Sequence, residues 1–142
     1  MVQPDPIVTM PLRVRYHECD QQGVVFNAHY LSYADMASFE AVNTLFGSYA
    51  ALTDRGLDMV VAESNVRYRA GCRFDDDLVV ECFTEKVGNT SWTVRFDMRR
   101  AGELVNQVVN RYVWVDAQTM RPVTPPEDVR AALARSGSGL TA

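Results

Sequence analysis

The sequence has few of the residues that build metal centres or disulfide frameworks. It contains three cysteines, Cys19, Cys72 and Cys82, and two histidines in 142 residues. The cysteines are odd in number and show no C-x-x-C spacing, which argues against a structural zinc site and against a disulfide framework. Such a chain suits a reducing compartment. We therefore expect a cytoplasmic protein without a metal or a redox cofactor.

An excess of positive charge and long apolar runs are also missing. Lysine and arginine total 14 against 18 acidic residues, and the resulting net charge of −4 does not favour nucleic acid. No apolar run approaches the roughly 18 residues that span a bilayer. The first residues, MVQPDPIVTMP, have neither the basic nor the apolar region of a secretory signal. We expect no nucleic-acid partner and no membrane partner.

What the sequence does contain is a first strand followed by one long amphipathic helix. Residues 7–17 are typical of a strand, which Pro11 confines to a sheet edge. Asn27 is the expected N-cap of the helix, and Gly47 is the expected glycine at its end. Residues spaced three and four apart predict the buried helix face: Tyr30, Tyr33, Ala34, Ala37, Ala41 and Leu45. The alanines on this face predict that the helix lies close against a sheet.

Further strands follow at near-regular spacing. They are predicted over residues 59–69, 77–87, 90–100 and 104–116, with hairpin turns at Gly88-Asn89 and Ala101-Gly102. Residues 126–135 predict a short C-terminal helix, and residues 136–142 predict a disordered tail. The fold class is therefore α+β. We expect one domain over residues 1–135, in which a five-stranded antiparallel sheet wraps its apolar face around the central helix.

The segment between the first strand and the long helix carries the candidate chemistry. Asp20 and Gly23 have the spacing of positions i and i+3 of a type I turn, where Asp and Gly are favoured for structural reasons alone. The turn leads directly into the helix start at Asn27. A helix start offers free N–H groups and the positive end of a dipole. A carboxylate there can act as a base or nucleophile while the N–H groups polarise a carbonyl.

Around Asp20 the chain reads Arg15-Tyr16-x-x-x-Asp20-x-x-Gly23-Val24-Val25-Phe26-Asn27-x-x-Tyr30-x-x-Tyr33. This run resembles the signature of the hot-dog fold acyl-CoA thioesterases, the 4-hydroxybenzoyl-CoA thioesterase type and its relatives. Val66-x-Tyr68 and the segment Phe74-Asp75-Asp76-Asp77-Leu78 resemble a second motif of that family. The resemblance spans roughly residues 10–117. It implies a single hot-dog domain, pairing of two protomers through a continuous sheet, and active sites at their interface.

The resemblance also implies a function, the hydrolysis of an acyl-CoA to a free acid and coenzyme A. Coenzyme A would then be part of the substrate, and no cofactor is implied. Asp20 would be the nucleophile or the general base, and N–H groups near Val25 to Ala28 would polarise the thioester carbonyl. Gly23 would let the backbone approach the substrate. A histidine stands at the position of Asn27 in one branch of the family. Asn27 cannot exchange a proton, so it orients groups or Asp20 works with water alone.

Other side chains complete the candidate site. Tyr16 can orient Asp20 by a hydrogen bond, and Glu63 can hold a water if it faces the groove. Both also have structural interpretations, as a core aromatic and as a solvated strand residue. The catalytic candidates are Tyr16, Asp20, Gly23, Phe26, Asn27 and Glu63. The candidates for binding the substrate, including cations for the coenzyme A phosphates, are His29, Tyr30, Arg67, Arg69, Arg73 and Lys86.

Several alternative functions stay open on the same scaffold. A non-catalytic acyl-CoA or acyl-carrier binding or regulatory protein would not need a carboxylate facing a thioester. A hot-dog hydratase or dehydratase would carry an H-F-P pattern or a histidine five residues after the aspartate, where this chain has Val25. A module that only dimerises would also have strong sheet edges. We expect a thioester hydrolase that works as a homodimer or homotetramer, with its acyl specificity undetermined by the sequence.

Overall fold

The computed structural model describes residues 4–135, and its elements follow the predicted order. They are β1 (Val8–Arg13), α1 (His29–Phe46), α2 (Ala50–Thr53), β2 (Leu57–Tyr68), β3 (Asp77–Val87), β4 (Ser91–Arg100), β5 (Glu103–Asp116) and α3 (Glu127–Arg135). The strands form one antiparallel sheet in the order β1-β3-β4-β5-β2. The predicted five-stranded sheet, long helix and short C-terminal helix are confirmed. The predicted disordered tail, residues 136–142, lies outside the described residues.

The first strand is shorter than predicted. Pro11 lies on the edge strand β1, as predicted, opposite Val79 of β3. The strand ends at Arg13, and residues 16–18 form a 3-10 turn instead of continuing it. Within that turn the Glu18 N–H donates to the Arg15 carbonyl at 3.0 Å, and the Arg15 N–H donates to Glu18 Oε1 at 2.7 Å. These two local hydrogen bonds satisfy the backbone without a strand partner.

Helix α1 packs on the sheet through the predicted face. Its buried residues are Tyr30, Tyr33, Ala34, Ala37, Ser38, Ala41 and Val42, while the predicted Leu45 is only partly buried. Small side chains bring the helix close to β3, where the Cys82 thiol donates to the Ala37 carbonyl at 3.7 Å. Burial also raises the pKa of Cys82 to about 12. This face positions the first turn of α1 beside the end of β2.

The two ends of α1 differ in how well the sequence predicted them. Gly47 ends the helix with a φ of +88°, and its N–H donates to the Asn43 carbonyl at 2.9 Å. The N-cap is Ala28, without a side-chain cap, so the prediction of Asn27 was wrong. A turn from Phe26 to His29, closed by a 2.9 Å hydrogen bond, shifts the helix start by one residue beyond that prediction.

Helix α3 closes one end of the sheet. Val129 and Leu133 are buried against the core, and Arg55 binds both carboxylate oxygens of Asp128, at 2.8 and 3.0 Å. Strand β2 forms the sheet edge opposite β1. Within residues 4–135, no helix combines the length and the apolar character needed to cross a membrane.

The hairpin between β4 and β5 holds a strain that a substitution can relieve. Ala101 and Gly102 have φ values of +49° and +83°, which a type I′ turn requires at both central positions. Alanine loses about 1 kcal/mol in the left-handed region, whereas asparagine is tolerated there. We expect Ala101→Asn to raise the free energy of unfolding by about 0.5–1 kcal/mol, measured by urea denaturation. Gly102→Ala is the matched control and should lower it. An unchanged midpoint for Ala101→Asn would mean that the turn carries no strain.

Candidate active site

Asp20 begins a tight turn that two backbone hydrogen bonds close. The Gly23 N–H donates to the Asp20 carbonyl at 2.9 Å, and the Asp20 N–H donates to the Val24 carbonyl at 2.8 Å. Gly23 has a φ of +80°, so the glycine is required by the backbone. The Gln22 N–H binds Asp20 Oδ1 at 2.8 Å, while Oδ2 has no hydrogen-bond partner within residues 4–135. The predicted turn is confirmed, and it fixes a carboxylate with one oxygen free.

A cavity of about 310 Å³ adjoins this carboxylate. It is lined by the turn, the start of α1 and the end of β2, through Asp20, Gln22, Val24, Val25, Asn27, Tyr30, Tyr68, Arg69, Ala70 and Gly71. The Tyr68 hydroxyl donates to the Asn27 carbonyl at 3.1 Å, and the Tyr30 and Tyr68 rings meet edge to face, with centroids 5.7 Å apart. The structure therefore brings together four of the predicted residues, Asp20, Asn27, Tyr30 and Arg69.

The N–H groups at this helix start are not all available to a ligand. The Val25 N–H donates to the Cys72 carbonyl at 2.8 Å, and the Phe26 N–H donates to the Glu18 carbonyl at 2.9 Å. The expectation that N–H groups from Val25 onward polarise a carbonyl is corrected accordingly. Those of Asn27 and Ala28 donate to no acceptor in the described part of the chain. These two N–H groups are free at the start of α1, where the helix dipole is positive.

Three further predicted residues, Phe26, His29 and Arg73, are not among the residues that line the cavity. A Cβ atom built on Gly23 would lie 3.6 Å from Arg73 Nη1, so this guanidinium stands beside the Asp20 turn. Phe26 is exposed, and its ring meets the ring of His29 edge to face, with centroids 6.1 Å apart. Arg73 thus lies next to the Asp20 turn, while Phe26 and His29 contact each other near the start of α1.

Tyr16 and Lys86 lie away from the cavity. Tyr16 is 79% exposed and its ring packs against Phe74, because the 3-10 turn at residues 16–18 directs it outward. It makes no hydrogen bond to Asp20, contrary to the predicted orienting role. Lys86 lies at a bulge of β3 and lines a different cavity, together with Glu127 and Arg130 of α3.

Glu63 and Arg67 lie on the solvent side of β2. A bulge follows Val61, and Glu63 then pairs in register with Arg111 of β5, whose guanidinium lies 3.6 Å from its carboxylate. Arg67 is on the same face, while Tyr68, one residue further, reaches Asn27 on the other face. The hypothesis that Glu63 faces the groove is therefore corrected. The bulge sets this orientation, and a sequence pattern does not show it.

Glu18 supports the site, although it was not among the residues predicted from the sequence. Its Oε1 accepts hydrogen bonds from the Tyr33 hydroxyl at 2.8 Å and from the Arg15 N–H at 2.7 Å. Burial, together with this carboxylate, raises the pKa of Tyr33. Glu18 thereby ties the segment before Asp20 to α1. The sequence pattern does not identify this role, because a capping box begins with Ser or Thr and the residue three positions before Glu18 is Arg15.

Removing the Glu18 carboxylate is expected to loosen this connection. Glu18→Ala leaves the Tyr33 hydroxyl and the Arg15 N–H without their acceptor, so the free energy of unfolding should fall by about 1–3 kcal/mol. Glu18→Gln keeps an acceptor oxygen and should stay within about 0.5 kcal/mol of wild type. Urea denaturation of the three proteins measures both effects. An equal fall in the free energy of unfolding of both variants would show that the negative charge of Glu18, and not its acceptor oxygen, stabilises the protein.

Cysteine chemistry is disfavoured at this site. Burial raises the pKa of the Cys72 thiol, and a protonated buried thiol is a poor nucleophile. Cys19, Cys72 and Cys82 are all free. Among residues 4–135 there is no group of three or more His, Cys, Asp or Glu side chains placed to hold a metal ion. Among the residues that line the cavity, Asp20 is the one with a carboxylate side chain.

Comparison with known proteins identifies the family. The model of the thioesterase superfamily matches residues 22–106. The acyl-CoA thioesterase YbgC of Haemophilus influenzae is 32% identical over 127 residues, 87% of this chain and 92% of that protein. The structure of hypothetical protein TT1821 from Thermus thermophilus has a TM-score of 0.81 at 27% identity, covering 88% of this chain and 95% of that one. Protein SAV2348 of Staphylococcus aureus, solved in complex with CoA, shares the fold at 12% identity, with a TM-score of 0.84 over 94% and 85% of the two chains. The chain belongs to the thioesterase superfamily and has its hot-dog fold.

Proposed function

We propose that this protein is an acyl-CoA thioesterase in which Asp20 performs the chemistry. The observation that carries the proposal is a single cavity lined by both Asp20, with its free carboxylate oxygen, and Asn27, with its free N–H. A thioester needs both an attacking group and a donor for the oxyanion that forms. The Haemophilus relative carries the name acyl-CoA thioesterase, and the Staphylococcus structure contains CoA, which supports the substrate class.

Two routes are consistent with this arrangement. In the first, the Asp20 carboxylate attacks the thioester carbon, coenzyme A leaves as a thiolate, and water then hydrolyses the mixed anhydride. In the second, Asp20 takes a proton from water while that water attacks the same carbon. In both routes the N–H groups of Asn27 and Ala28 stabilise the negative charge on the carbonyl oxygen, aided by the dipole of α1.

Two arginines suit the phosphates of coenzyme A. Arg69 lines the cavity, and Arg73 lies beside the Asp20 turn. Neither side chain forms an ion pair with an acidic side chain within residues 4–135, so both are free to receive phosphate. Such contacts persist from ground state to transition state and therefore contribute uniform binding.

Replacing Arg69 is expected to weaken substrate binding more than turnover. Arg69→Ala should raise KM about tenfold, the equivalent of one good charge-assisted contact, with kcat within about twofold of wild type. Arg67→Ala is the matched control, since it removes the same charge from the solvent face of β2. Steady-state kinetics on one acyl-CoA measures both. An unchanged KM in Arg69→Ala would remove this arginine from the site.

The assembly and the compartment belong to the same proposal. Strand β2 is a sheet edge of 12 residues, and Val61 on it is half exposed. Unpaired edges of this length favour pairing with another chain, so we place a homodimer contact along β2, within either a dimer or a tetramer. The three free cysteines suit a reducing cytoplasm.

The test is thiol release from a panel of short, long and aromatic acyl-CoAs. Hydrolysis of any of them at a rate proportional to enzyme concentration supports the proposal. Binding of the same acyl-CoAs by titration calorimetry without thiol release would favour the alternative, a non-catalytic acyl-CoA or acyl-carrier binding protein. Acyl-pantetheine thioesters on a carrier protein should be included, because they present the same reacting carbon without the nucleotide.

A further inference from the structure

The Tyr68 hydroxyl connects two walls of the cavity at Asp20. It donates to the Asn27 carbonyl at 3.1 Å, and both residues line that cavity. Tyr68 is the last residue of β2, whereas Asn27 lies just before α1. This side-chain hydrogen bond therefore ties the end of a strand to the segment that carries the free N–H groups. The direction of those N–H groups depends on what holds their peptide planes.

The direction of each free N–H is set through the carbonyl of its own peptide. Both N–H groups belong to trans peptides, in which the carbonyl points the opposite way. The Asn27 N–H shares its peptide with the Phe26 carbonyl, which accepts from the His29 N–H at 2.9 Å. The Ala28 N–H shares its peptide with the Asn27 carbonyl, to which the Tyr68 hydroxyl donates. The backbone thus fixes the first donor, and a side chain fixes the second.

The backbone leaves the Asn27 carbonyl without a partner of its own. Within residues 4–135 no backbone N–H donates to it. The N–H that a regular helix would supply is that of Leu31, four residues further along. This N–H donates to the Ala28 carbonyl at 3.2 Å instead. The Tyr68 hydroxyl is therefore the group that restrains the peptide between Asn27 and Ala28.

Tyr68 is itself firmly held. Its backbone pairs with Asn106 of β5, and its ring meets the ring of Tyr30 edge to face, with centroids 5.7 Å apart. Tyr30 is buried, and its ring meets the ring of Tyr33 in the same way, at 5.8 Å. The hydroxyl thus projects from a sheet and from a packed aromatic cluster. A side chain supported in this way can hold a catalytic group in its productive direction.

We propose that Tyr68 is a positioning residue for the oxyanion that forms during thioester hydrolysis. Its hydroxyl acts through the Asn27 carbonyl and keeps the Ala28 N–H directed at the carbonyl oxygen of the substrate. The inference rests on the proposed thioesterase function and deepens it by adding a residue to that site. Because the oxyanion forms only as the reaction proceeds, loss of the hydroxyl lowers kcat and leaves KM nearly unchanged.

The test is Tyr68→Phe, which removes the hydroxyl and keeps the ring that packs on Tyr30. Wild type and variant are compared by steady-state kinetics on the acyl-CoA of the panel that wild type hydrolyses fastest. We expect kcat to fall about tenfold, with KM within about twofold of wild type. This is part of the roughly 10²–10³-fold that loss of a whole oxyanion donor costs, since the Asn27 N–H keeps its own support.

Tyr49→Phe is the matched control. The Tyr49 hydroxyl donates to the Asp58 carboxylate, and neither residue lines the cavity at Asp20. This variant also loses one tyrosine hydrogen bond, so it should unfold at a lower urea concentration while its kcat stays within about twofold of wild type. An equal fall of kcat in Tyr49→Phe and Tyr68→Phe would show a general effect of lost stability and would overturn the inference.

A double-mutant cycle with Ala28→Pro identifies the N–H through which Tyr68 acts. Proline removes this N–H, and the Ala28 φ of −71° suits the proline ring. Ala28→Pro should lower kcat about a hundredfold. Adding Tyr68→Phe should then lower kcat by less than about twofold more, because the N–H to be positioned is already gone. A further tenfold fall in the double variant would contradict an action through Ala28.

The remaining outcomes separate this inference from the proposed function. An unchanged kcat in Tyr68→Phe would overturn the inference while the thioesterase proposal stands. A rise in KM without a fall in kcat would do the same, because it would make Tyr68 a group that only binds the substrate. Absence of hydrolysis of every acyl-CoA by wild type would overturn both. The comparison of the Tyr68 and Tyr49 variants remains decisive even if Ala28→Pro does not fold.

Discussion

Replacing Asp20 with asparagine is expected to lower kcat/KM for acyl-CoA hydrolysis at least a hundredfold, the low end of what general-base catalysis contributes, about 10²–10⁴. Asparagine has nearly the same shape, and its side-chain oxygen can still accept the hydrogen bond that the Gln22 N–H now gives to Asp20 Oδ1. The turn and Gly23 are therefore retained. What is lost is the negative charge, and with it both the nucleophile and the base. Thiol release under subsaturating substrate measures the effect, and circular dichroism checks the fold.

The control for this variant is Glu63→Gln. It removes a carboxylate of equal charge from β2, where the structure pairs Glu63 with Arg111 on the solvent face, and it should leave kcat/KM within about twofold. Loss of activity in Glu63→Gln, with Asp20→Asn unaffected, would move the chemistry to the second carboxylate. The nucleophilic and general-base routes are separated by quenching wild type during turnover and measuring the mass of the peptide that contains Asp20 by mass spectrometry. An added acyl mass identifies a nucleophile, and its absence favours a base acting on water.

The sequence predicted the regular parts of this fold because periodicity is a local property. Strands β3 to β5 lie within one residue of their predicted bounds, and five of the six side chains predicted for the buried face of α1 are buried. The turn at Asp20 was also predictable, since Asp and Gly at this spacing favour it. These features need no knowledge of what lies opposite each residue.

The parts of the site that the sequence missed depend on the register between distant segments. Val25 gives its N–H to Cys72, and Phe26 gives its N–H to Glu18, so the free donors begin at Asn27. A bulge after Val61 turns Glu63 to solvent. Neither these hydrogen bonds nor the bulge changes the periodic pattern of apolar residues in the sequence. The role of Tyr68 as a cavity wall was within reach, because its motif was noted, but its contact with Asn27 spans 41 positions of sequence.

Trp92→Ala is expected to be the most destabilising substitution considered for this protein, lowering the free energy of unfolding by about 3–5 kcal/mol. Trp92 is completely buried on β4, and its ring packs against Tyr112 of β5, with centroids 5.9 Å apart. Its indole N–H donates to Thr84 Oγ1 at 3.0 Å, and the Thr84 hydroxyl donates to the Leu133 carbonyl of α3 at 3.2 Å. The substitution therefore opens a cavity and also removes the hydrogen bond that orients Thr84, whose hydroxyl donates to α3. A domain with only about 5–15 kcal/mol of total stability should lose much of its margin.

Comparison of the two tryptophans separates the cavity from the hydrogen bond. Trp114 is buried to the same degree, but its indole N–H has no hydrogen-bond partner within residues 4–135. Trp92→Phe removes a satisfied donor and leaves the Thr84 hydroxyl without that donor, whereas Trp114→Phe removes an unsatisfied one at a similar loss of volume. We expect Trp92→Phe to be the more destabilising by about 1–3 kcal/mol in urea denaturation. Equal losses would mean that the Trp92–Thr84 hydrogen bond adds nothing to the packing of the indole ring. A larger loss at Trp114 would contradict a stabilising role for the hydrogen bond from Trp92 to Thr84.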